Sequence, residues 1–272
     1  MNIIVFDTET LGMKSQDLLN VGYRILDLNP ISREVKVLCE RDMIDLNLFS
    51  AVSKLFVYKG CLEEDMQSIL ASNFLSQEKY EKYVNAIAQK KVERHNIRKI
   101  FEIMSQDIEK HKVVFGYAYN CAFDIDKFAK TASKFGLVNP IEKMPIFDIW
   151  AYTVNHICRK DDYIQWAREN QIFTASENYI STSVESVVKF LTNNLEFVEE
   201  HTALSDTQWE TAILLNCLQR GCDITRAEIK GGNIDSGKVF NKTIVLPNGE
   251  RLEFEYTKSF NRVANEYYYE KR

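Results

Sequence analysis

The sequence predicts an α/β protein: a five-stranded mixed sheet flanked by helices, with a long helical insertion and a C-terminal β-hairpin extension. Three observations carry this reading. The chain opens on Asn2–Phe6, a continuous β-branched and aromatic run of the kind buried on both faces in the middle of a sheet. A strand, helix, strand succession spans residues 112–149, which implies a parallel crossover. Only 10 Gly and 4 Pro occur in 272 residues, too few for a turn-rich, many-stranded β architecture.

Taken in order, the elements read as follows. Asn2–Phe6 is a central first strand. Leu18–Leu28 and Arg33–Leu38 are extended segments on either side of the turn cluster Asn29-Pro30-Ile31-Ser32, hence an antiparallel hairpin. From about 46 to 110 the Gly and Pro signals nearly vanish, and Tyr80, Val84, Ile87, Ile97, Ile100, Phe101, Met104 and Ile108 recur at helical spacing. Lys112–Tyr117 is a fourth strand, Asp124–Phe135 a helix and Pro145–Ile149 a short fifth strand. Trp150–Asn170 and Ser183–Leu191 read as helices. Ser205 with Gln208 three residues on is a capping-box pattern, starting a last helix at Asp206 that Gly221 closes. In the tail, 242–246 and 252–256 alternate around Pro247-Asn248-Gly249-Glu250, a hairpin signal. The expected organisation is a domain over 1–222, with its insertion at about 46–110, and an extension over 223–272.

Composition narrows the function classes. A 45% hydrophobic fraction with 12% aromatics supports a packed core and excludes wholesale disorder. The net charge of -5 argues against non-specific attraction to nucleic acid, which needs a local surplus of Lys and Arg. Six cysteines form no Cys-x-x-Cys pair and do not cluster with the four histidines, against structural zinc. The five-residue apolar opening ends in carboxylates, neither a secretory signal nor a span of ~20 apolar residues, so the expected setting is cytoplasmic, reducing and away from membranes.

Asp7 and Glu9 stand two apart at the end of the first strand, so strand alternation puts both on one face. Two carboxylates that close raise one another's pKa unless a cation neutralises them, and hard oxygen ligands suit magnesium or manganese. The plain alternative is a strand that ends in a polar turn with Thr8 and Thr10 facing solvent. An aspartyl-nucleophile phosphotransferase also starts from acids two apart, but it needs Asp, not Glu9, at the second position. Asp124 opens a helix after the fourth strand, where a parallel crossover brings it towards the end of the first. His201 precedes Asp206 by five residues, about 140° apart if both were helical. With the helix starting at Asp206, His201 lies in the preceding loop, free to fold over the site.

Asp-Thr-Glu-Thr-Leu-Gly at 7–12, Asn-x-x-Phe-Asp at 120–124 and His-x-Ala-x-x-Asp at 201–206 together resemble the three ordered motifs of the DEDDh family of 3′-to-5′ exonucleases, which includes the proofreading subunits of bacterial replicases. The resemblance covers residues 1 to about 220, apart from 46–110. Tyr119 and Cys121 stand where many members have His and Ala. The resemblance implies a ribonuclease-H-like fold and a site in which Asp7, Glu9, Asp124 and Asp206 hold two divalent ions, Mg2+ or Mn2+, roughly 3.5–4 Å apart. It makes His201 the general base, an imidazole of ordinary pKa near ~6.5 that activates the attacking water. It places the terminal 3′ nucleotide against Thr10 and Leu11, with Asn120 and Phe123 shaping the pocket.

Lys127, Lys130 and Lys134 share one helix face, either steering the phosphate backbone or forming a solvated stripe. His95 is most simply a surface residue, His111 and His156 have no nearby ligand pattern, and Asp148 resembles a recurrent acidic position of the family but reads equally as a helix cap. The expected activity is metal-dependent 3′-to-5′ hydrolysis of DNA ends, single-stranded or frayed, releasing nucleoside 5′-monophosphates. An RNA or short-oligonucleotide exonuclease is the alternative, because the 2′-hydroxyl contacts that decide are not legible. A non-catalytic module that docks a polymerase or replication partner, through 46–110 or Tyr267-Tyr268-Tyr269, is the third. Two divalent ions would bring four positive charges, so the net -5 does not exclude a nucleic-acid substrate bound locally at the metals.

Overall fold

The apolar opening run places its strand in the middle of the sheet. In a computed structural model that describes residues 1–10, 18–50, 77–238, 240–245 and 251–256, β1 (Asn2–Thr10) pairs antiparallel with β2 (Leu18–Leu28), and β2 antiparallel with β3 (Val35–Asp45). On its other side β1 pairs parallel with β5 (Phe115–Ala118), and β5 parallel with β6 (Ile146–Asp148). A three-residue strand, β4 (Glu93–His95), adds parallel to β3, so the order is β4-β3-β2-β1-β5-β6.

Alternation along β1 feeds two cores. Ile3 and Val5 pack with Tyr117, Tyr152, Ile213 and Leu214, while Ile4 and Phe6 pack with Ile100, Phe101, Met104 and Phe128. The second face is covered by α2 (Ile97–Lys110) and α3 (Ala122–Phe135). The first is covered by α4 (Ile149–Thr153), α5 (Asp161–Glu169), α6 (Val184–Thr192) and α7 (Ala203–Gln219). Phe6 meets Phe128 edge to face at 5.9 Å, and burying each such ring contributes on the order of 1.5–3 kcal/mol. A third cluster gathers Tyr83 of α1 (Gln77–Ala88) with Leu19, Ile44 and Val92 at the β3 edge.

Several expectations are corrected. Among the described residues the sheet has six strands, not five: Glu93–His95 is too short and polar to show strand periodicity, yet it pairs with Met43–Asp45, and Arg41 reaches Glu93 at 2.9 Å. The insertion is therefore not wholly helical, and its residues 51–76 lie outside the described residues. The helix expected over Trp150–Asn170 breaks into α4, a π-helical turn Val154–Cys158, and α5. The last helix starts at Ala203 with Thr202 as its cap residue, three residues before Asp206, and Thr202 makes no side-chain cap bond. Gly221 does close it, at φ +91, with Cys222 N–H reaching back to Cys217 O.

Residues beyond 222 bind to β5, α4 and α5: Tyr117 Oη donates to Ile224 O at 2.8 Å, Tyr152 Oη to Arg226 O at 2.7 Å and Arg168 Nε to Ser236 O at 3.1 Å. The tail hairpin forms as its own two-stranded sheet, β7 (Phe240–Val245) with β8 (Arg251–Tyr256), and its turn lies outside the described residues. Among the described residues no helix is long and apolar enough to cross a membrane.

Candidate functional site

What sets the site is how closely α7 approaches the sheet. Gly22 of β2 lies opposite Asp7 in the β1–β2 register. A Cβ built there would lie 2.2 Å from Leu204 N and 2.3 Å from the Ala203 carbonyl carbon, so the first turn of α7 rests on the space a side chain would take. Asn20, fully buried two residues earlier, fastens it. Its Oδ1 accepts Ala203 N–H and Tyr83 Oη–H, each at 3.0 Å, and its Nδ2 donates to Asp42 Oδ1 at 2.6 Å and Met43 O at 3.0 Å. Here lies the reason Ser205 does not start the helix: an orphan N–H at the helix start is satisfied from β2 rather than by a cap from within the segment.

The consequence is convergence at the carboxyl end of β1. Carboxylate oxygens of Asp7, Glu9 and Asp206 lie within 4.8 Å of one another, and so do ligand atoms of Glu199, His201 and Asp206. Asp124, in the first turn of α3, joins from the other side of the strand: Thr8 Oγ1 donates to its Oδ1 at 2.6 Å. Thr8 and Thr10 are therefore buried rather than solvent-facing, and the polar-turn reading of 7–10 fails because Thr8 spends its hydroxyl on Asp124. His201 stands just before α7 with φ +54, a backbone strain on the order of 1 kcal/mol, its ring 60% exposed and Nδ1 4.0 Å from Glu199 Oε2.

The electrostatics are those of crowded anions. Burial pushes the Asp7 carboxyl well up, and Asp124, Glu210, Glu9 and Asp206 push it further. Burial raises Asp124 to about 7 against the Thr8 hydrogen bond that favours its charge, with Glu9 adding to the rise. Asp42, behind Asn20, rises to about 6 through burial, with Glu9 contributing. The remaining member, Glu210, was not legible as a site residue. It lies one helical turn beyond Asp206, about 40° round the helix, and is 3% exposed. Burial and then Asp124 and Asp206 push its carboxyl well up, against a hydrogen bond from the Tyr119 backbone. A signal exists: 203, 206, 207, 210, 211, 214, 217 and 218 follow the stripe of a core-facing helix face, and all are buried, so both acids occupy core positions.

The second motif is held by its loop. Asn120 adopts φ +60, a conformation Asn tolerates, and its N–H donates to Asp148 Oδ1 at 2.9 Å. The same Asp148 oxygen accepts Trp150 N–H at 2.9 Å, so Asp148 both caps α4 and ties down the Asn120 loop. Tyr119 turns to the outer layer, donating from Oη to Thr182 O at 2.5 Å and stacking on Trp150. Asn120 itself is exposed, and Phe123 is half-buried one residue before Asp124. The lysine stripe is not a uniform solvated face: Lys127 is buried with Nζ 5.0 Å from the centre of the Phe123 ring, while Lys130 is exposed and paired with Asp126. Leu11 lies outside the described residues. His95 pairs with Glu93, while His156 gathers with Cys222 and Glu228 and His111 with Cys39 and Asp107, two Cys–His groupings that correct the expectation of none.

The donor set suits a hard divalent cation: aspartate and glutamate oxygens converge, and Glu210 Oε2 is buried with no hydrogen-bond partner among the described residues. No protein-family model matches this chain, and a search of the curated proteins returns no match.

Proposed function

We propose that the protein is a divalent-metal-dependent 3′-to-5′ exonuclease of the DEDDh kind, acting on DNA ends and releasing nucleoside 5′-monophosphates. One observation carries the proposal: segments far apart in sequence, 7–9, 124 and 201–206, deliver four carboxylates and a histidine to the carboxyl end of the central strand. The sheet supports the same reading. An antiparallel β1–β2–β3 unit extended by parallel β5 and β6, with helices on both faces, agrees with a ribonuclease-H-like fold to which β4 is an addition.

Asp7, Glu9, Asp206 and Asp124 would hold the cations, which when bound act as Lewis acids on the phosphodiester and offset the repulsion among these carboxylates. Thr8 fixes the rotamer of Asp124. His201, exposed at the rim, accepts the proton of the attacking water, and Glu199 beside its Nδ1 orients the ring. The exposed Asn120 and the half-buried Phe123 line the approach on the α3 side, where the terminal nucleotide binds. An inert docking module would have no use for keeping all five residues together.

The test is degradation of 5′-labelled single-stranded DNA and RNA with Mg2+, with Mn2+ and with chelator. A ladder shortening from the 3′ end only when metal is present, faster on DNA, is expected. A faster ladder on RNA reassigns the substrate; no degradation of either polymer, or shortening from the 5′ end, overturns the proposal.

A further inference from the structure

Glu210 has no place in the four-carboxylate set. It sits in α7 with 3% exposure, where an ionisable side chain is rare unless paired. The Tyr119 backbone, one residue beyond β5, lies near enough to favour the charged form of this carboxylate, so Glu210 faces the end of β5 from α7. Its Oε2 is buried with no hydrogen-bond partner among the described residues. No ion pair to Glu210 forms among the described residues, and the charges that press on it most are the acidic Asp124, Asp206 and Glu199, while it presses in turn on Asp7. A merely structural acid would meet a donor at both oxygens, since a buried polar atom left without one is costly. An oxygen left open towards an anionic group is accounted for by a cation or its hydration water.

We infer that Glu210 is a fifth anionic residue of the divalent-cation site, a positioning residue whose free oxygen holds the ion's hydration shell from one helical turn behind Asp206. The inference rests on the proposed metal centre. Divalent ions such as Mg2+ keep several waters, and acceptors in the surrounding shell alter affinity about 10- to 100-fold. Glu210 also lies beside the backbone of Tyr119, next to the Asn120 loop, and so brings cation binding up against the nucleotide-facing segment.

The experiment titrates the purified protein with Mn2+ at fixed pH, following free ion by electron paramagnetic resonance, for the native chain, Glu210→Gln and Asp7→Asn. Melting of each is recorded in chelator. Glu210→Gln keeps the side chain's size and an acceptor oxygen and removes the charge. It is expected to bind Mn2+ about 10- to 100-fold more weakly while melting in chelator at or above the native temperature. Unchanged Mn2+ affinity overturns the inference, and so does weaker binding accompanied by a lower melting temperature in chelator, which assigns Glu210 to the scaffold. If the native chain binds no Mn2+, or Asp7→Asn binds it equally well, the metal centre itself fails. If Asp7→Asn loses the ion and Glu210→Gln retains native affinity, only the role of Glu210 fails.

Discussion

Replacing Gly22 by Ala tests how the site is assembled. The added methyl would lie 2.2 Å from Leu204 N, 2.3 Å from the Ala203 carbonyl carbon and 2.6 Å from its oxygen, whereas ordinary contact begins near 3.4 Å. All three atoms are backbone at the start of a helix, so no side chain can swing away. The first turn of α7 must recede by about 1 Å, stretching the Asn20 to Ala203 bond and carrying Asp206 away from Asp7 and Glu9. Overpacking of this kind costs about 1–3 kcal/mol, and a 1 Å misplacement of a reacting group can cost about 10²-fold in rate. For a domain of this size the stability term corresponds to a melting temperature lower by ~2–12 °C. The assay measures kcat/KM on a 5′-labelled oligonucleotide, Mn2+ affinity and thermal melting on the same preparations. Activity and affinity should fall about 100-fold with the fold retained by circular dichroism. Native values for activity, affinity and melting would refute the reasoning that α7 is seated on the missing side chain.

Other perturbations probe separate links. Asn20→Ala strands Ala203 N–H, the Tyr83 hydroxyl and Asp42 at once, so a loss of about 3 kcal/mol or more is expected in denaturant unfolding; a loss under ~0.5 kcal/mol would show that the hub is dispensable. With Asp124 raised to about 7 by burial, the chelated folded state holds a proton that the unfolded chain releases near its ordinary 3.8. That contribution is fully present below pH ~4 and is lost as pH rises through about 7, so the chelated protein should melt lower at pH 8 than at pH 5.5. Mg2+ at ~100 times its Kd should restore ~2.7 kcal/mol, and a chelated melting temperature that climbs from pH 5.5 to 8 would contradict the buried-anion account. His201→Gly removes the base yet relieves a backbone at φ +54, so the rate should drop about 10²- to 10⁴-fold with no loss of melting temperature; retained activity would dismiss His201 as the base.

Much of the frame was legible because periodicity reports which faces are buried. The run at 2–6, the Asn29 turn, whose Oδ1 accepts Ile31 N–H at 3.0 Å, the α3 register and the Gly221 stop all lie where local chemistry puts them. The start of α7 was misread because its first N–H is satisfied by Asn20, 183 residues away, a partner no local pattern shows. For the same reason Gly22 read as an ordinary strand residue: what matters is the helix that lands on it. Strand β4 escaped because three residues carry too little periodicity, and it forms only against the edge of β3. Glu210 lies within a core-facing stripe, but its stripe neighbours Thr207 and Thr211 are polar as well, so no local pattern marks it as a site residue. The motif acids stood out together, Asp7 and Glu9 on one face at a strand end with Asp124 and Asp206 in first helical turns, although a lone acid in a first turn has an ordinary use against the helix dipole.

The first product released from a 3′ end tests the central claim most directly. The protein is given a short single-stranded oligodeoxynucleotide with Mg2+, and the earliest small molecule is identified by mass spectrometry for the native chain and for Asp7→Asn. The account requires the nucleoside 5′-monophosphate of the terminal 3′ residue from the native chain and none from the variant, which should melt no lower in chelator because a buried, repelled carboxylate has been neutralised. A nucleoside 3′-phosphate, a product from the 5′ end, or equal release by Asp7→Asn would contradict it.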